Sequence, residues 1–482
     1  MTKLGAGTLG DLTPATARPG YDRDAVQVGV VHFGPGAFHR GHQAVYFDQL
    51  LETDPRWGIA AVSLRSRPTV EGLAAQDGLY TLAVLDAEPS FRVIGSHKVF
   101  LGPGDEAEVR RLLASESVAI VSSTVTEKGY CLAGDGSLDF AHPDIVHDLG
   151  TPEAPVSLVG WITLGLRDRR AARLPAFTVL CCDNMVSNGH KLGAAVRAYA
   201  ERIDPELAAW IAADVRFPNT MVDSITPATD DKVRATVAGA IGVDDAIPIS
   251  REAYTAWIVE DVLPDGAPDL ASVGVVLAAD VAVYELAKLR VLNGAHSTLA
   301  YAGLMMGHET VADAMGDPVL SAFVRRMMME DIVPSLPAAS GVDFAAYAEE
   351  ILQRFENPAI GHKLAQIAWD GSQKLPYRIL DTVQDALANG RSVERLAVPV
   401  AAWMLFVQRQ AKAGVDIVDP LADMLAEIGG TSASEGELAE RLLALRQIFP
   451  QSLAQDAGFR TALLDTLSNL QADGFAATLG TR

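Results

Sequence analysis

A run of β-branched and apolar residues, Val28-Gly-Val-Val-His-Phe33, stops at Gly34-Pro-Gly36 and gives way to a helical pattern that continues through Leu51. Strand, tight glycine turn and helix in immediate succession open a βα unit, which constrains the chain more than any other stretch. Two glycines at such a turn let the backbone bend sharply and approach a pyrophosphate resting on the helix N-terminus. Gly34, Gly36, Ala37, Phe38 and Arg40 are therefore candidate cofactor-binding positions. The third glycine of the dinucleotide fingerprint is absent and His39 stands there instead, so the segment by itself also reads as a plain βα turn.

Further buried strands are expected at 58–64, 118–125 and 177–182, with helical segments between them. This alternation predicts a doubly wound α/β sheet of Rossmann type, with ligands at the carboxyl ends of the strands. From about Ala282 the texture changes to long helical patterns at 284–306, 317–333, 343–355, 400–413 and 435–449. A boundary near 280–285 divides the 482 residues into a dinucleotide-binding domain, 1–282, and an all-α substrate and catalytic domain, 283–482. No internal repeat is visible.

With 39 Lys and Arg against 61 Asp and Glu, the formal charge of −22 repels phosphate backbones and anionic lipid. Nucleic acid and membrane surfaces are thereby set aside as partners, leaving a small molecule. Only three cysteines occur, two of them adjacent at Cys181 and Cys182, a spacing that neither staples a secreted scaffold nor holds a structural zinc. A reducing cytoplasm is the natural setting, since the first twenty residues lack the apolar core of a signal peptide and no apolar run approaches a membrane span.

Chemistry-bearing residues gather at a few places. On a straight α-helix Lys288 and His296 fall about 80° apart and Asn293 about 60° from His296, so all three share one face. A desolvated lysine there can exchange the proton of a carbinol, while the amide and the imidazole hold its oxygen; a solvent-facing lysine and a core histidine have the same spacing. Asn184, after an expected strand end, and Asp223, after the apolar run at 217–222, are further candidates, each also compatible with a simple turn. Arg65 and Arg67 follow the second strand where an NAD site usually has a carboxylate; they suit NADP, NAD bound without that contact, or plain solvated cations. His32, His39 and His42 cluster without a completing Cys or HxxEH pattern, so no metal is assigned.

The string GVVHFGPGAFHRGHQAVYFDQLL at 29–51 is similar to the opening fingerprint of the mannitol dehydrogenase family of polyol and uronate oxidoreductases. SSTVTEKGYC (122–131), FTVLCCDNMVSNG (177–189), FPNTMVDSITP (217–227), KLRVLNGAHS (288–297) and DGSQKLPYR (370–378) extend the resemblance, in order, over nearly the whole chain. The resemblance implies zinc-independent hydride transfer with NAD, NADP being possible, by a monomer or small homo-oligomer. It implies Lys288 as general acid/base, Asn184 and Asn293 as oxyanion-holding amides, and His296 as the substrate's orienting partner. Glu285 would pass protons to solvent, Asp223 would contact substrate, and Glu127, within the EKGYC string, would lie at the cofactor.

Two branches of the family compete: one interconverts D-mannonate and D-fructuronate, the other mannitol and fructose. EKGYC and DGSQKLP-x-R look more like the uronate branch, whose carboxylate would be held by Lys374 or Arg378. Ser224, where the family usually has Arg, and the stretch Ser250–Tyr254 depart from the family pattern. A remote alternative is a non-catalytic dinucleotide or sugar-acid sensor on the same fold.

Overall fold

A computed structural model of the chain describes residues 2–86, 88–338 and 342–482. Two compact units are present, Met1–Ala282 and Val283–Arg482. The first contains strands β1 (Val28–Phe33), β2 (Gly58–Val62), β3 (Tyr80–Leu85), β4 (Ser90–Ile94), β5 (His97–Leu101), β6 (Ile120–Ser123), β7 (Thr178–Cys181), β8 (Thr220–Asp223), β9 (Ile249–Glu252), β10 (Ala256–Glu260) and β11 (Val276–Ala278). Five of them form a wholly parallel sheet in the order β5-β2-β1-β6-β7. Val30, Val31 and Phe33 on β1 are completely buried, as expected for a strand covered on both faces. The chain winds outward from β1 through β2, then returns to β6 on the other side of β1. The order therefore reverses between β1 and β6, and a doubly wound sheet opens its ligand crevice at such a point.

The glycine turn stands at that reversal. Gly34 has φ of +90°, and a Cβ built on it would meet the Thr124 carbonyl oxygen, just past β6, at 2.2 Å. Only glycine combines that backbone conformation with so close an approach. Gly34→Ala is expected to cost about 1–3 kcal/mol from backbone strain alone, which thermal denaturation would show as a lowered Tm.

The four expected strands of the Rossmann-type sheet appear where sequence reading places them, β1 with the expected bounds and β2, β6 and β7 shorter by two to four residues, while its edge strand β5 has no counterpart in that reading. Two three-stranded sheets, β11-β10-β8 and β4-β3-β9, complete this unit and have no counterpart in that reading. The polar leader is also more structured than its composition suggests. Lys3 bridges to Asp244 and Ala17 to Arg92, while Leu4 and Leu12 are buried against Val237, Ile241 and Val243.

Among the described residues the second unit has helices and no strand. Its long helix Glu394–Ala413 carries Pro399 inside and buries Trp403 at its centre. Proline removes a helical N–H, which is why the sequence pattern starts only at Val400. Three segments widen into π-turns: Lys288–Asn293, Met327–Ile332 and Pro376–Leu380. The 100° stepping assumed for 284–306 therefore fails between Lys288 and Asn293, because a π-turn closes i→i+5 hydrogen bonds and holds an extra residue.

Candidate active site

At the exit of β1, the helix Ala37–Gly41 starts directly after Gly36, which offers no side-chain cap. The first amides of a helix lack intrahelical acceptors, so those of Ala37 and Phe38 open the turn to an anion. The helix breaks at His42 (φ −126°, ψ −93°) and resumes as Gln43–Leu50. Arg40 points the other way: Nη1 donates to the Ile247 carbonyl at 2.8 Å and the guanidinium lies over the Tyr80 ring. As placed, it supports the turn from within and presents no charge to a phosphate. Glu127 is exposed at the start of the short 3₁₀ turn Glu127–Tyr130.

His39 earns its place where a glycine is usual by stacking. Its ring lies on that of His32 with centroids 3.4 Å apart, and its Nε2 is 3.0 Å from Nε2 of His97 on β5. His32 Nδ1 meets Ser122 Oγ at 2.8 Å, and its Nε2 meets Thr124 Oγ1 at 3.0 Å. All three imidazoles are fully buried. Burial pushes His32 and His97 down to about 3 and His39 well below its ordinary value, so the fold holds them neutral. In the unfolded chain each titrates near 6.5 and takes up a proton that the fold excludes. Their contribution to stability is thus full above about pH 6.5 and declines as the pH falls from there toward 3. Calorimetric Tm values are expected to be level above that window and to fall steadily within it; a Tm insensitive to acid would contradict the neutral cluster.

Past β2 the two arginines are already engaged. Arg67 donates to Glu71 at 3.0 Å, to Asp105 at 3.0 Å and to the Pro103 carbonyl at 2.6 Å. Arg65 is largely exposed and pairs with Asp144 at 2.7 Å. A cavity of about 410 Å³ opens beside the strand end, lined by Val62, Leu64, Val109, Val156 and Trp161 among others.

The ends of β7 and β8 are tied by residues that sequence reading passed over. Asp183 accepts from the backbone amides of Val125 and Thr126 at 2.8 and 3.2 Å and from the Tyr130 hydroxyl at 2.5 Å. It thereby holds Thr126 at a φ of +67°, a conformation that persists only when surrounding bonds fix it. The fully buried Asn188 amide donates to the carbonyls of Cys181, Asp183 and Thr220 and accepts from the Thr220 amide. Asn184 sits between these anchors, and Asp223 ends β8 almost wholly buried. A polar residue directly after each apolar strand was the available signal for Asp183.

In the second unit, Lys288 opens its π-turn half-buried and Asn293 closes it, with Glu285 buried one turn earlier. His296 stacks on Phe355 with centroids 4.4 Å apart and meets His362 edge to face at 5.3 Å. Burial first, then the charges of its neighbours, Arg378 and Arg354 among them, hold His296 neutral. Its Nε2 is buried without a hydrogen-bond partner among the described residues. Arg378 lies on the π-turn Pro376–Leu380, which packs against that of Lys288, and a Cβ on Gly294 would sit 2.8 Å from the Arg378 carbonyl oxygen. Its Nη1 donates to Ser297 Oγ at 3.2 Å, and its Nε is buried without a partner among the described residues. Lys374 is committed elsewhere: Nζ donates to the Trp369 carbonyl at 2.6 Å and lies 3.5 Å from that of Ile367. Of the two expected carboxylate partners, only Arg378 stands beside His296.

Cys131, His142 and Asp144 bring ligand-type atoms within 4.8 Å of one another. Their chemistry does not favour a cation. His142 Nδ1 accepts the Asp144 amide, which puts the neutral ring's proton on Nε2; burial and nearby carboxylates push the Cys131 thiol up to about 11; and Arg65 already neutralises Asp144.

Residues 28–272 match the mannitol dehydrogenase Rossmann domain and residues 280–471 the mannitol dehydrogenase C-terminal domain. The chain is 44% identical to D-mannonate oxidoreductase of Escherichia coli (strain K12) over 464 residues, covering 94% of this chain and 95% of that one. Among solved structures it is similar to the Pseudomonas fluorescens mannitol 2-dehydrogenase ternary complex with NAD and D-mannitol. That match has a TM-score of 0.86 at 37% identity and covers 100% of this chain and 99% of the other. It is also similar to substrate-free D-sorbitol dehydrogenase, with a TM-score of 0.91 at 32% identity, covering 99% and 100%. With both halves matched in order and nearly full-length relatives above 30% identity, the chain belongs to the mannitol dehydrogenase family.

Proposed function

We propose that the protein is an NAD-dependent oxidoreductase that interconverts an aldonate with its keto acid, D-mannonate with D-fructuronate, without a metal. The observation that carries the substrate class is Arg378, a guanidinium whose buried Nε has no partner among the described residues, beside a neutral histidine in the unit that carries Lys288 and Asn293. A substrate carboxylate complements such a cation by charge-assisted hydrogen bonds, whereas an uncharged ketose offers it only hydroxyls. The 44% identity to a D-mannonate oxidoreductase supports the same reading.

The first unit suits NAD. The space beside Gly36 is open, a Cβ there meeting nothing nearer than the Gly34 carbonyl oxygen at 3.9 Å; the first amides of the helix Ala37–Gly41 have no side-chain cap, and the cavity beside β2 is of a size for an adenosine. When bound, NAD supplies the nicotinamide carbon that exchanges hydride with the substrate. The chain's own residues manage the proton and the charge. In the oxidative direction Lys288 takes the hydroxyl proton, the amides of Asn184 and Asn293 hold the oxygen as charge develops on it, and neutral His296 accepts or donates a hydrogen bond to orient the substrate. Glu285, buried one turn before Lys288, relays the proton onward, and Asp223 fixes a substrate hydroxyl.

Initial rates followed by nicotinamide absorbance, with fructuronate and fructose offered separately to the NADH-loaded protein with and without a chelator, test the proposal. Reduction of fructuronate well above fructose, unaffected by chelator, is the expected result. Preference for fructose would move the protein to the polyol branch, for which the similarity to mannitol 2-dehydrogenase stands as the second reading.

A further inference from the structure

The corner after β2 holds more than the two arginines that suggest a 2′-phosphate. Arg67 is spent on Glu71, Asp105 and the Pro103 carbonyl, contacts that fix the loop entering the helix Glu106–Leu113. The remaining cation, Arg65, is paired to a carboxylate from a distant segment: Asp144, in the first turn of the helix Pro143–Gly150. There the positive end of the helix dipole and the His142 cap on its amide hold Asp144 in place. Glu106 adds a further carboxylate, lining the cavity beside the strand end. The two guanidinium groups are thus paired with Glu71, Asp105 and Asp144, and with Glu106 on the cavity wall the corner carries more carboxylates than cations although the local sequence is basic.

We infer that Asp144, by occupying Arg65, is the residue that selects NAD over NADP in this protein. A ribose diol meets a neutralised ion pair there at little cost, whereas a 2′-phosphate brings about two negative charges into an acidic corner whose mobile cation is taken. Asp144 supplies from elsewhere in the chain the carboxylate that the run after β2 lacks. The inference rests on the first unit being the dinucleotide site, as proposed above.

The test is fluorescence titration of NADH and NADPH, without sugar, into the wild type, Asp144→Asn, Asp144→Ser and the Arg65→Ala/Asp144→Asn pair. The wild type is expected to bind NADH more tightly. Each Asp144 variant should shift the NADPH-to-NADH affinity ratio toward NADPH by about tenfold or more, the scale of a freed Arg–phosphate contact, and the added Arg65→Ala should cancel that shift. The serine variant keeps a short polar side chain at the helix start and guards against a local fold defect in the asparagine one. An unchanged ratio in both single variants, or a wild type that already prefers NADPH, overturns the inference and leaves the dinucleotide site standing. Failure of the wild type to bind either nucleotide overturns both.

Discussion

Lys288→Ala is expected to lower kcat by about 10²–10⁴-fold, the range over which a positioned general acid or base acts. The group proposed to accept the carbinol proton in oxidation, or to return it in reduction, would be gone, and water cannot take its place with a matched pKa at a fixed distance. Dinucleotide affinity should survive, because the glycine turn belongs to the other compact unit. Turnover and NADH titration on the same preparation separate the two effects. Small primary amines added to the variant should restore part of the rate, a rescue that a merely structural lysine would not show. Unchanged turnover would remove Lys288 from the chemistry and with it the proton route through Glu285.

Arg378→Ala separates the two branches of the family. If the guanidinium holds the substrate's carboxylate, its loss removes charge-assisted hydrogen bonds worth about 1.5–3 kcal/mol, so kcat/KM for fructuronate should fall about 10- to 100-fold. The reaction with fructose should change far less. Arg378→Lys should recover only part of the loss, since an ammonium cannot form the bidentate fork. Equal losses on both substrates would mean that Arg378 shapes the π-turn through Ser297 and recognises no anion.

How far these expectations were legible in sequence depended on how local their cause is. The βα opening was readable because strand, glycine turn and helix are contiguous and each has its own pattern. The sheet β4-β3-β9 was not: β3 takes β9 as its parallel neighbour from far along the chain, and no periodicity within four residues of β9 announces that partner. Lys288, Asn293 and His296 were identified by type and spacing, yet their angular relation was misjudged, since a π-turn has no composition of its own. The arginines after β2 suited a 2′-phosphate, NAD bound without the usual carboxylate, or solvated cations, and local sequence could not choose among these for a similar reason. Their neutralisation comes from Asp144, Asp105 and Glu71, and only the first two contacts needed the fold to reveal them. Lys374 and Arg378, alike on paper, were told apart by where two carbonyl oxygens happen to lie.

The leader has a consequence for how the chain assembles itself. Thr13, near the start, donates to the carbonyl of Ala240, 227 positions later, and Lys3 finds its bridge at Asp244. The cluster around Leu4 and Leu12 can begin on Leu79, Ala83 and Val93, and it is completed only when Val237, Ile241 and Val243 have been synthesised. Pairings so distant in sequence slow folding, because the intervening loop must be closed before any contact rewards it. On the ribosome the parallel sheet can begin to form as soon as β6 and β7 emerge, but the contacts of Leu4, Leu12 and Thr13 are complete only once the stretch from Val237 to Asp244 has followed.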